Sequence, residues 1–130
     1  MDTYSGLLFK FQQVSDELDD LIQKFPSERR EEIIFDKWSL KNVVSHLNHW
    51  MLHNLNCLES MVQGKVPYWQ PDTDEYNRQG VEKRKDWSWE DVYSEFVDLK
   101  AKQISSYENL PIELREKKFW QDRRHTPRSF

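Results

Sequence analysis

Three long stretches of the chain repeat apolar residues every three or four positions, which is the spacing of an amphipathic helix. The first stretch runs from about Tyr4 to Phe25, and Pro26 ends it because the residue before a proline disfavours the helical conformation. Its apolar stripe consists of Leu7, Leu8, Phe11, Val14, Leu18, Leu21, Ile22 and Phe25. The pattern predicts a helix with one buried face and one acidic face.

The second stretch runs from Ser39 to about Gln63, and the third runs from Ser88 to about Asn109. Serine is a preferred N-cap residue because its hydroxyl accepts a hydrogen bond from an unpaired backbone N–H of the first helical turn. Gly64 stands where the second helix should end, since glycine tolerates the left-handed conformation found there. These stretches predict two more amphipathic helices.

A long connection, Gly64 to Trp87, separates the second and third helices. Structureless connections of this length are unusual in compact domains and often functional. We expect a short helix within it, from about Asp74 to Lys83. A further helical turn is expected from Pro111 through Lys118, and the chain beyond it shows no periodicity.

These elements predict an all-α fold in a single domain, residues 1–130, because three glycines and five prolines are too few for the turns of an all-β fold. The bundle is expected to be of the up-and-down type. Three thin apolar stripes leave edges that a fourth helix would cover. We expect that helix to be missing, or to be supplied by a partner molecule.

Composition excludes several classes of protein. The aromatic content of 14% is too high for a disordered chain, and a net charge of −4 offers no attraction to nucleic acid. No apolar run approaches the ~18 residues of a membrane span, and the N-terminus does not resemble a signal peptide. Because Cys57 is the only cysteine, no intrachain disulfide can form. We expect a cytoplasmic protein that does not enter a membrane.

The second helix carries three of the four histidines, at positions that fall within an arc of about 60° when each residue turns by about 100°. Asn54 projects toward the middle of the apolar arc, where an amide needs a hydrogen-bond partner or a wet pocket. The resulting polar edge of the helix consists of His46, Trp50, His53, Asn54 and Cys57.

His46 is the most interior of these histidines and is therefore the candidate catalytic residue and candidate metal ligand. An imidazole can transfer a proton near neutral pH and can bind a metal. The alternative is that the histidines are boundary residues that bond to water or to neighbouring helices. His49 projects about 60° farther outward, and we expect its loss to be nearly neutral. Cys57 is expected to be a small core residue, because no basic neighbour would lower its pKa.

Several segments carry a resemblance to a known family. Lys37 to Leu47, which includes Trp38, Ser39 and His46, resembles the second-helix signature of the DinB-like superfamily. Asp74 to Asn77 and Trp87 to Val92 resemble its ClbS/DfsB branch, and the aromatic and Thr-Pro-Arg positions of residues 118–128 are similar to the loop before helix four. Together these segments span nearly the whole chain in order.

The resemblance implies a DinB-like four-helix bundle with a pocket at one end. Metal-binding members use a histidine in the place of His46 together with two histidines of helix four, whereas ClbS-like members hydrolyse or sequester reactive small molecules. The implied cofactor is a divalent metal, zinc or nickel, in a site for which only His46 has a counterpart here. The implied pocket is lined by Trp50, His53, Asn54 and Asn77.

Two functions from different classes follow. The first is a hydrolase or metal-dependent transferase that acts on a reactive small molecule, in detoxification or self-protection. The second is a non-catalytic helical module for binding or oligomerisation. Because the stripes lack a fourth partner helix, we expect a homo-oligomer in either case.

Overall fold

A computed structural model of the chain describes residues 3–68 and 70–115. Within them the chain forms four α helices and two 3-10 turns, and the only sheet-like pairing is an isolated bridge between Phe35 and Trp38. The helices are α1 (Thr3–Lys24), α2 (Leu40–Val62), α3 (Thr73–Lys83) and α4 (Trp89–Glu108), and the turns are Ser27–Arg29 and Ile112–Leu114. The predicted all-α fold is confirmed. The extension of the last turn to Lys118 and the expected absence of a fourth long helix fall outside the described residues.

The predicted capping residues begin the helices. Ser39 Oγ accepts a hydrogen bond from the backbone N–H of Asn42 at 3.1 Å, and the Asn42 side chain accepts one from the backbone N–H of Ser39 at 3.0 Å. This reciprocal pair is a capping box. Ser88 Oγ accepts from the backbone N–H of Asp91 at 3.1 Å at the start of α4. After α2, Gly64 takes the left-handed conformation with φ 75°.

The connection between α2 and α4 folds as the short helix α3, with Asp72 as its N-cap. Asp72 Oδ1 accepts a hydrogen bond from the backbone N–H of Glu75 at 3.0 Å. α3 packs along α2. Asn77 therefore lies on a helix, which holds it in a fixed register against α2.

The helices alternate in direction along the chain. α2 and α4 run in the same direction, because Asn48 donates to Glu95 near the start of α4 and Asn54 accepts from Gln103 farther along it. α1 runs opposite to α4, since its contacts with α4 move toward the start of α4 as α1 proceeds. α3 runs opposite to α2.

The core lies where α1, α2 and α4 meet, and its buried residues are Ile22, Leu40, Val44, Val92 and Phe96. A second cluster at the far end of α2 contains Leu58 and Met61. The predicted stripe of α1 is only partly buried, because Leu7, Val14 and Leu21 are 43%, 60% and 67% exposed. α1 packs on α4 and makes few contacts with α2, so part of its apolar face borders open space.

Candidate functional site

An open cavity of about 660 Å³ lies between α1, α2 and α4 and is bordered by Gln70 and Pro71 before α3 and by Thr73, the first residue of α3. Its volume is in the range of small-molecule sites, roughly 300–1,000 Å³. α1 contributes Phe11, Val14, Ser15 and Leu18. α4 contributes Phe96, Lys100 and Gln103. The walls are therefore mostly apolar, with a few polar side chains.

The α2 wall contains three of the four residues that were expected to line a pocket, namely Trp50, His53 and Asn54. The fourth, Asn77, does not line the cavity, but its Oδ1 accepts a hydrogen bond from the indole N–H of Trp50 at 2.5 Å. Asn77 thus fixes the position of a wall residue from the side of α3.

His46 does not line this cavity. Its ring packs against the indole of Trp38, with 5.1 Å between the ring centroids. Its Nδ1 atom is buried and has no hydrogen-bond partner among the described residues. Burial lowers the pKa of His46 below 6.5, and a hydrogen bond with Asn77 opposes that effect. His46 therefore lies outside the cavity and is linked to the wall residue Trp50 through Asn77, which bonds to both.

A metal site around His46 would need further ligands close to it. In residues 3–68 and 70–115, no three histidine, cysteine, aspartate or glutamate side chains come together in a group that could hold a metal ion. The described residues do not fit a closed metal site, and we derive no chemistry through a metal.

A chain of hydrogen bonds joins the amides of α2 and α4 beside the cavity. Gln103 Nε2 donates to Asn54 Oδ1 at 2.7 Å, and Asn54 Nδ2 donates to the hydroxyl of Tyr107 at 3.1 Å. The Tyr4 hydroxyl donates to the backbone carbonyl of Tyr107 at 2.7 Å. Asn54 is 7% exposed, so these bonds offset the cost of burying its amide. The expectation that Asn54 needs hydrogen-bond partners is confirmed.

Lys100 brings a positive charge to the α4 wall. Its ammonium lies 2.8 Å from Asp16 Oδ1 and 3.4 Å from Asp19 Oδ2. Asp19 also accepts a hydrogen bond from the Tyr93 hydroxyl at 2.6 Å. Although burial acts in the other direction, the hydrogen bonds from Tyr93, Gln23 and Lys100 lower the pKa of Asp19. The carboxylate therefore remains charged beside Lys100.

Sequence reasoning missed Lys100 and Gln103. They lie one helical turn apart on α4, at the edge of its apolar stripe. Their spacing is the signal that could have identified them, because residues three apart share a helix face. The choice between a solvent-facing edge and a cavity-facing edge depends on where α1 packs.

His53 is the imidazole on the cavity wall. Burial lowers the pKa of His53 below 6.5, so the ring is mostly neutral at pH 7. Its Nε2 atom lies 3.6 Å from Cys57 Sγ. Burial raises the pKa of Cys57 to about 11, which keeps the thiol protonated and weakly nucleophilic. Cys57 is 2% exposed, and the prediction that it is a core residue is confirmed.

His49 lies on the other side of α2, where α3 covers it. Its Nδ1 atom is 3.2 Å from Arg84 Nη1, and its ring stacks on Tyr76 with 4.2 Å between the centroids. Burial, followed by the charges of Arg84 and Lys83, lowers the pKa of His49 to about 4. His49 therefore lies under α3 and does not project outward, and its contact with Arg84 agrees with the alternative of a boundary histidine that bonds to a neighbouring segment. The expectation that its loss is nearly neutral stays a prediction. α2 has a second covered face because α3 packs along it.

The chain matches no protein-family model. Its comparison with the curated proteins and with the solved structures likewise finds no match. The described helices include none that is long and apolar enough to cross a membrane. The described residues form an all-helical bundle with a mostly apolar cavity between its helices. The similarity to DinB-like proteins remains a prediction from the sequence motifs.

Proposed function

We propose that this chain binds a largely apolar small molecule in the cavity between α1, α2 and α4. The protective role against a reactive compound, implied by the resemblance to ClbS/DfsB-like proteins, is part of the proposal. The observation that carries it is the cavity itself, at about 660 Å³. An apolar cavity with a few well-placed polar groups is typical of small-molecule sites.

The walls supply the two properties that such binding needs. Phe11 and Leu18 on one side and Leu47 and Phe96 on the others offer apolar surface. When a ligand covers these walls, association is favoured by about 25 cal/mol per Å² of apolar surface removed from water. Asn54 and Gln103 are held together by a direct hydrogen bond, so the polar part of the wall is preorganised.

The direct test is to fill the cavity. Val14 lines it from α1, and Val14→Trp should place an indole in the space that the ligand would take. With pyrene as a fluorescent probe, we expect the variant to bind at least about tenfold more weakly than the wild-type chain, equivalent to about 1.4 kcal/mol.

The matched control is Val97→Trp, because Val97 is an exposed valine of α4 that does not line the cavity. It should bind pyrene as the wild-type chain does. Unchanged binding in Val14→Trp, or no binding of pyrene by the wild-type chain, contradicts the proposal.

A second candidate function is hydrolysis, and the position of His53 favours it. A neutral imidazole at the cavity wall can take a proton from a water molecule as that water attacks an ester carbonyl. With 4-nitrophenyl 2-naphthoate as substrate, the products would be 2-naphthoate and 4-nitrophenolate. The water proton goes to His53, which lies in the cavity wall.

Replacing His53 separates this candidate from binding alone. If His53 is the base, His53→Gln should lower the hydrolysis rate by about 10²-fold or more, while His46→Gln should leave it unchanged. The wild-type rate should rise with pH through the lowered pKa of His53 and level off near neutrality. Equal rates in the wild type and His53→Gln would restrict the function to sequestration.

A further inference from the structure

We propose that the ligand of this cavity is uncharged and presents an amide, or another group with one donor and one acceptor, to Gln103, whose side chain Asn54 holds in place. This inference rests on the proposed binding function and names the chemical class of the ligand. It follows from how the charges of the cavity are paired, and from which hydrogen-bonding groups remain available.

The charge on the cavity wall is neutralised within the protein. Among the described lining residues, Lys100 carries the formal charge at pH 7. Its ammonium is paired with Asp16 and Asp19, at 2.8 and 3.4 Å. An anionic ligand would have to compete with these carboxylates for Lys100, and a cationic ligand would meet the ammonium itself. Neither charge has an unpaired partner on the wall.

The amides leave a donor and an acceptor for a ligand. A glutamine side chain has two N–H donors and a carbonyl oxygen. Gln103 uses one N–H in its bond to Asn54, and no bond to its carbonyl oxygen occurs within the described part of the chain. Asn54 likewise uses its oxygen with Gln103 and one N–H with Tyr107. The remaining N–H and carbonyl of Gln103 match an amide in a two-bond arrangement.

The remaining lining favours an apolar body attached to that amide. Phe11 and Leu18 of α1 face the cavity together with Leu47 and Met51 of α2. These side chains have no hydrogen bonds to offer, so polar groups along the body of a ligand would lose their bonds to water without replacement. A single polar end on an apolar body fits the distribution of wall residues.

Four probes with the same ring system test the inference: pyrene, pyrene-1-carboxamide, pyrene-1-carboxylate and pyren-1-ylmethylammonium. Their dissociation constants from the full chain are measured by fluorescence titration at pH 7.5. We expect the carboxamide to bind at least about fivefold more tightly than pyrene, which is the effect of one or two net hydrogen bonds. The carboxylate and the ammonium compound should bind more weakly than the carboxamide by at least about tenfold.

Gln103→Leu is the matching variant, with Gln12→Leu, an exposed glutamine of α1 outside the cavity, as its control. Gln103→Leu should remove the preference for the carboxamide over pyrene, and Gln12→Leu should keep it. If Gln103→Leu fails to fold, Gln103→Glu replaces it and should remove the same preference without removing a polar group.

The outcomes distinguish this inference from the proposed function. If pyrene binds, and a charged probe binds as tightly as the carboxamide or more tightly, the inference is overturned and the cavity remains a binding site. A carboxamide preference that survives in Gln103→Leu also overturns it. Failure of all four probes to bind overturns the proposed function, and the inference with it.

Discussion

Gly80 and His49 form a close contact between α3 and α2. A Cβ atom added to Gly80 would lie 2.6 Å from His49 Cβ and 2.7 Å from His49 Cγ. Those atoms sit close to the α2 backbone and cannot swing away as the end of a long side chain can. Glycine is therefore required at position 80 because there is no space for a Cβ atom. Its φ is not in the left-handed region, so backbone conformation is not the reason.

Gly80→Ala should lower the free energy of unfolding by about 1–3 kcal/mol, the usual cost of forcing an extra carbon into a packed contact. Urea denaturation measures the change. Gly6→Ala is the control, because nothing lies within 4 Å of an added Cβ there. Alanine in that helical position should be neutral or stabilising by up to about 1 kcal/mol. Equal effects of the two substitutions would show that α2 and α3 do not pack as described.

His49 also makes stability depend on pH. Its pKa is lowered to about 4 in the folded chain, first by burial and then by Arg84 and Lys83, with Glu95 acting in the opposite direction. In the unfolded chain a histidine titrates near its usual pKa of about 6.5. Between these values the unfolded chain binds a proton that the folded chain does not, so stability is complete above pH 6.5 and is lost as pH falls toward 4.

The prediction is that the melting temperature of the wild type falls more steeply between pH 7.5 and 4.5 than that of His49→Gln. The pKa values of His46 and His53 are also lowered, but both histidines are present in both proteins and their effect cancels in the comparison. Circular dichroism melts at four or five pH values provide the measurement. Parallel curves for the two proteins would contradict the assigned environment of His49.

At the level of single residues, the sequence predicted some side-chain environments and not others. The position of Asn54 inside the apolar arc of α2 correctly indicated a hydrogen-bonded amide. His53, predicted to line a pocket, lies in the cavity wall, whereas His46, predicted as the catalytic residue, lies outside it. The two histidines differ by only about 20° around the helix, and which of them borders open space depends on the neighbouring helices.

At the scale of helices, α3 is held to α4 by a buried ion pair. Arg84, directly after α3, donates from Nε to Glu95 Oε1 at 2.6 Å and from Nη2 to Glu95 Oε2 at 3.1 Å. The side chain of Arg84 is 0% exposed and that of Glu95 is 18% exposed. Asn48 of α2 donates to the same carboxylate at 2.8 Å. One glutamate thus links three helices.

Arg84→Met should lower the free energy of unfolding by about 3 kcal/mol, because the mostly buried Glu95 carboxylate loses its cationic partner and keeps only the bond from Asn48. The control is Arg78→Met, which removes an equivalent two-bond pair with Glu75 at the surface, with side chains 63% and 43% exposed. A surface pair contributes about 0–1 kcal/mol. Chemical denaturation of both variants gives the comparison, and similar losses would contradict the buried pair.

Helix boundaries were predictable because their signals are local. Ser39 and Ser88 cap α2 and α4, and Gly64 takes the left-handed conformation after α2. The burial of Arg84 was not predictable in this way. An arginine in a charged stretch normally indicates solvent exposure, and only the packing of α3 on α2 brings Arg84 beside Glu95 of α4.

At the scale of the molecule, α1 leaves much apolar surface uncovered. Leu7, Val14 and Leu21 are 43%, 60% and 67% exposed. They are spaced seven residues apart and therefore lie along one face of α1. Contiguous apolar patches normally mark an interaction surface. The expected homo-oligomer remains a prediction, and α1 is the surface through which it would form.

We predict that the chain self-associates with increasing concentration and that Leu21→Lys weakens this association at least about tenfold, because Leu21 lies on that face and is 67% exposed. Sedimentation velocity measures it. Gln13→Lys is the control, because Gln13 is an exposed residue of the same helix and the substitution adds the same charge. A wild-type chain that stays monomeric at all concentrations, or equal loss in both variants, would contradict an interface on α1.

The all-α architecture could be predicted because each of the three long helices has its own repeat of apolar residues. The cavity between α1, α2 and α4 could not be predicted, because the apolar stripe of α1 shows which face is apolar and does not show what covers that face. The DinB-like resemblance, the enzymatic activity and the cytoplasmic location likewise remain predictions, which local sequence patterns can suggest and packing alone does not decide.

Ligand binding between α1, α2 and α4 can be observed directly by nuclear magnetic resonance of the full chain titrated with pyrene-1-carboxamide. We expect intermolecular nuclear Overhauser effects to Phe11, Met51 and Phe96, which line the cavity, together with shifts of the Gln103 side-chain amide from this binding mode. Overhauser effects that instead involve Tyr76 and His49 at the α3 face, or no perturbation of cavity residues at saturating probe, would contradict it.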